Sequence, residues 1–148
     1  MSSEFKRQIK AALAGPPVKA LPPTPLFIKN PEPDSCRLCR FQLAKDFIGF
    51  QGHFEGRPVL PALAQVLMTQ VSAELIGGRE VFMESIAQAK FLSLVEPESS
   101  LLVYAQVPAD MGAGEWRFHL RALKAGAENE AAFIRLRISP AEAVNHGL

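Results

Sequence analysis

The downstream half of the chain alternates. Trp116, Phe118 and Leu120 are apolar while Arg117, His119 and Arg121 between them are polar, and Ile134, Leu136 and Ile138 interleave with Arg135 and Arg137. A period of two turns successive side chains to opposite faces, which predicts half-buried antiparallel strands. Val81 to Val95 and Leu101 to Val107 also read as strands. Glu96-Pro97-Glu98-Ser99 reads as a turn, Pro108 to Gly114 as a loop, and Gly126 to Asn129 as the place where the chain turns back. Residues 61–76 follow another pattern, apolar around most of a helical circumference, which predicts a long helix buried on nearly all sides. Pro61 suits its first turn and Gly77-Gly78 its end.

Upstream, residues 3–14 predict a short amphipathic helix with Phe5, Ile9, Ala12 and Leu13 on one face. Ser2 or Ser3 would be its N-cap, and Gly15-Pro16-Pro17 ends it. Residues 15–35 hold seven of the 12 prolines and read as an extended, wrapping segment, with Leu26-Phe27-Ile28 apolar enough to be pinned to the core. Residues 36–45 read as a strand. One buried helix followed by an antiparallel meander is an α+β pattern, and 148 residues suit one domain. That domain divides into a lead-in at 1–35, a body at 36–140 and a tail at 141–148.

Composition changes this picture little. The chain is 48% hydrophobic and 21% charged with a net charge of +1, which implies a soluble protein with no bulk attraction to nucleic acid or acidic membranes. No apolar run is long enough to span a bilayer and the first residues carry no apolar signal region, so the expected location is cytoplasmic. Cys36 and Cys39 form a C-x-x-C without the further ligands a zinc site needs. An offset of three on a strand puts them on opposite faces, so no metal or other cofactor is expected.

The candidate chemistry sits in Phe50-Gln51-Gly52-His53-Phe54-Glu55-Gly56-Arg57-Pro58-Val59-Leu60-Pro61. A histidine titrates near neutral pH and can serve as a base. Glycines let backbone approach a ligand, and the prolines stiffen the entry to the helix. The run resembles the G-H-F-P-G-x-P-V-[ML]-P-G signature of the 3-hydroxyacyl-(acyl carrier protein) dehydratases of the hotdog superfamily. Gly52, His53, Phe54, Gly56, Pro58, Val59, Leu60 and Pro61 match it, while Glu55 and Ala62 depart from it. Ala89 to Pro97 is similar to the family's strand after the helix, so the resemblance covers about residues 47–107.

The resemblance implies a hotdog fold, an antiparallel sheet wrapped around one long central helix, working as a homodimer or a higher oligomer of dimers. It implies His53 as the catalytic base and an acyl carrier protein or acyl-CoA as the partner bearing the substrate. Phe54, Gly56, Pro61, Ala62, Leu63, Leu67 and Gln70 would line the substrate site, with the helix start at Ala62 and Leu63 binding the thioester carbonyl. Arg57 would touch the carrier. In the family a Glu or Asp follows the histidine by 14 positions, and here that position is Leu67. Gln70, Glu74 and Glu55 are the nearby polar groups to weigh as replacements, with Glu74 expected at the helix surface. Gln65 faces away from Leu67 and resembles a glutamine of some dehydratase-like relatives. His119 and His146 are expected at the surface. Arg117, His119 and Arg121 on one strand face and Arg135 and Arg137 on another would make a basic surface for an acidic carrier. The leading expectation is a dehydratase. Its rivals are a non-catalytic acyl-binding subunit, an acyl thioesterase, and a heterodimer in which a partner supplies the carboxylate.

Overall fold

The computed structural model describes residues 3–23, 35–50, 58–111 and 113–141. Helix α1 is Ser3–Ala11, followed by the two-residue strand β1, Val18–Lys19, and strand β2, Cys36–Gln42. A 3₁₀ turn at Ile48–Phe50 leads toward the long helix α2, Ala62–Gly77. Four strands complete the fold: β3 Val81–Phe91, β4 Ser100–Gln106, β5 Gly114–Lys124 and β6 Ala127–Pro140. They form one antiparallel sheet in the order β1-β2-β4-β5-β6-β3. The expected α+β arrangement, one long helix against a curved antiparallel sheet, is thus present.

Directly paired residues share a face of a sheet. Ala105, Phe118, Ile134 and Ala89 form one such row, and Cys39, Val103, Leu120, Ala132 and Phe91 the next. These rows face α2, whose Met68 and Val71 join Phe41, Trp116 and Leu136 in one continuous core. Trp116 and Phe118 lie nearly parallel at 6.1 Å between ring centroids. Register shifts in β3 between Met83 and Ser85 and between Ile86 and Gln88 mark bulges, which bend a strand and increase its twist.

Nine of the 16 residues of α2 are buried, among them the polar Gln65, Thr69, Ser72 and Glu74. Thr69 and Ser72 return their hydroxyls to the carbonyls of Val66 and Met68. Gly78 ends the helix in the left-handed region at φ 74°, donating its N–H to the Glu74 carbonyl, a conformation that glycine adopts without a Cβ clash.

Several expectations change. Helix α1 stops at Ala11 and β3 at Phe91, before Val95. The β5–β6 hairpin turns at Ala125-Gly126, and the strand resumes at Ala127 rather than after Asn129. Glu74 is not a surface carboxylate. It is buried, ion-paired at 2.7 Å with Lys6 of α1, and accepts the Val81 N–H at 2.9 Å. Arg135 lies on the same face as Arg117, its direct partner across β5 and β6, and Glu115 stands 3.1 Å from Arg135 and 3.9 Å from Arg117. With Arg121 held by Glu128 and Glu130, this face is largely charge-compensated rather than basic.

His119 is the largest departure, because it is fully buried. On the face turned away from α2 it sits in a row with Leu38, Tyr104 and Phe133. Phe133 meets its ring edge-on at 4.6 Å, and Glu130 lies 3.5 Å from Nε2. Burial against these rings drives the imidazole pKa down to about 4, with Glu130 pulling weakly the other way. Leu26-Phe27-Ile28 and His146 lie outside the described residues.

Candidate active site

The start of α2 carries the candidate site. Leu60 is fixed before it by its N–H bond to the Val95 carbonyl at 2.7 Å, and Gly49 packs beneath. A Cβ on Gly49 would stand 2.7 Å from the Phe47 ring and 2.9 Å from Leu60, so glycine permits this close approach. Pro61 is the N-cap and contributes no side-chain hydrogen bond. The first N–H groups of a helix have no partner within it. Those of Ala62, Leu63 and Ala64 therefore form a patch of donors with partial positive charge.

Beside this patch lies a cleft of about 310 Å³, walled by Val59, Leu60, Pro61, Ala62, Phe91 and Leu94, with Gln65 and Ser93 as its polar members. That is within the size range of small-molecule sites, and the wall chemistry suits an acyl chain. Gln65 is almost fully buried and donates Nε2 to the Leu60 carbonyl at 3.3 Å. Its Oε1 is buried with no hydrogen-bond partner among the described residues.

Of the residues expected at the site, Pro61 and Ala62 line this cleft. Leu63 begins a separate stripe of α2 with Leu67 and Gln70, one helical face by spacing. Leu63 is exposed, while Leu67 is half-buried and packs against the core. Gln70 is half-buried and donates Nε2 to the Val81 carbonyl at 3.2 Å, which ties it to the start of β3, away from the cleft. His53, Phe54, Glu55, Gly56 and Arg57 lie outside the described residues. Glu74 is held by Lys6 near the other end of α2. The wall residues Phe91 and Leu94 come from the structure, as does the place of Gln65 in the cleft. The signal for Gln65 in the sequence is its likeness to a glutamine of some dehydratase-like relatives, and only strand pairing reveals Phe91.

A larger cleft of about 440 Å³ lies between Ser35, Arg37, Gln106, Pro108 and Met111. None of the residues singled out by the sequence borders it. Cys36 and Cys39 are both buried, and their strand partners put them on opposite faces of β2. Burial pushes the Cys39 thiol up to about 11 despite a hydrogen bond with Ser72, and raises that of Cys36 as well. Neither has the thiolate character that nucleophilic or redox chemistry requires. Among the described residues no group of His, Cys, Asp and Glu stands close enough together to hold a metal ion, and no helix is long and apolar enough to cross a membrane.

Comparison with known proteins agrees with this layout. A family model described as ApeI-like, ApeI dehydratase, matches residues 29–132. The FabZ 3-hydroxyacyl-[acyl-carrier-protein] dehydratase of Rickettsia bellii (strain OSU 85-389) is 34% identical over 77 residues, 47% of this chain and 52% of that protein. The chain thus spans about half the length of the curated relatives it matches. Among solved structures, the dehydratase heterocomplex ApeI:P from Xenorhabdus doucetiae superposes with a TM-score of 0.57 at 19% identity, covering 71% of this chain and 88% of that one. A mutant acyl-CoA hydrolase from Staphylococcus aureus, in complex with coenzyme A, gives 0.52 at 16% identity, over 72% of this chain and 64% of that one. The shared architecture is the hotdog fold.

Proposed function

Because this chain belongs to the ApeI-like dehydratase family, we propose that it acts on 3-hydroxyacyl thioesters, carried by an acyl carrier protein or coenzyme A, and removes water to give 2-enoyl thioesters. The observation that carries the reading is the apolar cleft at the uncapped start of α2, directly downstream of the Gly52-His53-Phe54 motif. Dehydration takes a proton from C2 and hydroxide from C3. His53 is the base for the first step. As the C2 proton leaves, negative charge develops on the thioester oxygen, and the N–H groups at Ala62 and Leu63 stabilise it there. The family resemblance assigns Phe54, Gly56 and Pro61 to the substrate site and Arg57 to contact with the carrier.

The leaving hydroxide needs a proton, and Leu67 stands where the family holds its acid. Leucine cannot provide one. Gln70 bonds to Val81 and has no proton to exchange at neutral pH. With Glu74 held by Lys6 and Gln70 by Val81, a second chain that brings the acid is the arrangement we propose, and the relative named as a heterocomplex favours it. Without such a partner, the missing group costs about 10²–10⁴ in rate, the range that general acid–base catalysis supplies. A second reading, a subunit that binds acyl thioesters without turning them over, is favoured by Leu67 itself, whose side chain is part of the core packing.

The test supplies purified protein with 3-hydroxyacyl and plain acyl thioesters, following enoyl formation and thiol release separately. Weak enoyl formation that vanishes in His53→Ala and rises in Leu67→Glu supports the dehydratase. Turnover untouched by His53→Ala removes the histidine as base. Thiol release alone points to a thioesterase, and acyl groups retained without turnover point to the binding subunit.

A further inference from the structure

Gln65 is a buried amide with only one of its two ends used. The Leu60 carbonyl is an acceptor, so the group facing it at 3.3 Å must be the amide nitrogen, and this fixes which end is which. What remains is Oε1, a buried acceptor without a partner among the described residues, on a side chain that walls the apolar cleft. Buried polar atoms of native proteins are normally paired, and one that is unpaired beside a cleft calls for a donor from a ligand. The neighbouring Ser93 hydroxyl does not supply it, because it is donated to the Glu130 carbonyl at 2.6 Å. The start of α2 offers donors only, so the cleft presents donors at its helix end and a lone amide acceptor one turn in. A ligand that matches both carries a carbonyl and, a short distance along the chain, an O–H.

We infer that Gln65 is the specificity residue of this cleft, its side-chain carbonyl accepting a hydrogen bond from the 3-hydroxyl of the acyl chain. The inference rests on the thioester reading above and adds to it a residue that distinguishes hydroxylated from plain chains. Selection of this kind comes from a site built to bond a hydroxyl, which is left unpaired when the hydroxyl is missing.

Binding is measured by calorimetry with amide-linked acyl pantetheines, in which the C2 proton is too weakly acidic to leave. The series is 3-hydroxyacyl, 3-methoxyacyl and plain acyl chains of one length. Wild type is expected to bind the 3-hydroxy compound about tenfold more tightly than either of the others, the effect of one neutral hydrogen bond. Gln65→Met, similar in length and without a carbonyl acceptor, is expected to lose that preference. Equal binding of the three by wild type overturns the inference, whether or not the variant folds. So does a preference that survives in Gln65→Met, or a failure of all three to bind. Preference with no turnover in the assay above, in wild type and in Leu67→Glu alike, leaves Gln65 in this role and removes the dehydratase, so the two outcomes stay separable.

Discussion

His119 shows how a single residue escapes the pattern of its own strand. Its neighbours in sequence, Arg117 and Arg121, are polar, and alternation groups the three together. Its environment comes from other strands, through Tyr104 of β4 and Phe133 of β6, and no reading along β5 contains them. The consequence is measurable. An imidazole lowered from 6.5 to about 4 binds fewer protons folded than unfolded throughout that window. Stability is therefore complete above pH 6.5 and falls as the pH drops toward 4. At 1.36 kcal/mol per unit the loss approaches roughly 3 kcal/mol. Urea melts at pH 7, 5.5 and 4.5 should show this decline, and His119→Phe should flatten it. An unchanged slope in the variant would assign the decline to other groups. The family was legible for the opposite reason, since the short run of glycine, aromatic and proline residues around position 53 carries its meaning locally. The spare acceptor of Gln65 emerged only from the position of the Leu60 carbonyl.

At the scale of elements, the strands and the long helix were readable because period-two alternation and an all-round apolar helix are strong local signals. Their ends were less so. The β5–β6 turn is set by Ala125 at φ 51° and Gly126 at φ 81°, two left-handed residues in a tight hairpin. Such turns normally announce themselves with Asn-Gly or Asp-Gly, and alanine in the first position hides the signal. It also stores strain, because a Cβ is disfavoured there. Ala125→Asn is expected to raise stability by about 0.5–1 kcal/mol without changing the fold, seen as a later denaturation midpoint at equal slope. A lower midpoint would mean that the turn is held by contacts other than its backbone preference. The end of β3 at Phe91 was similarly hidden, since Leu92, Leu94 and Val95 are apolar while Ser93 and Leu94 line the cleft.

For the whole molecule, β3 is the telling strand. It pairs with β6 on one side and with no strand among the described residues on the other. Phe82, Ile86 and Phe91 along it are exposed, as are Leu92 and Leu94 beyond it and Leu63 on α2. An edge of this length and apolarity invites pairing with another chain. We expect the purified protein to have the mass of two copies by light scattering, with Ile86→Lys shifting it toward one. A mass of one copy at all concentrations would refute the paired unit. A last consequence follows from the tie between Lys6, Glu74 and Val81, which joins the first helix to the far end of α2 and the first residue of β3. A chain begun downstream of Lys6 would keep every strand yet strand a carboxylate in the interior without its counter-charge, a loss worth about 3–5 kcal/mol. Trimming the start to obtain a minimal hotdog would thus yield a protein with the right outline and a loosened helix, and its weak binding would be mistaken for a property of the cleft.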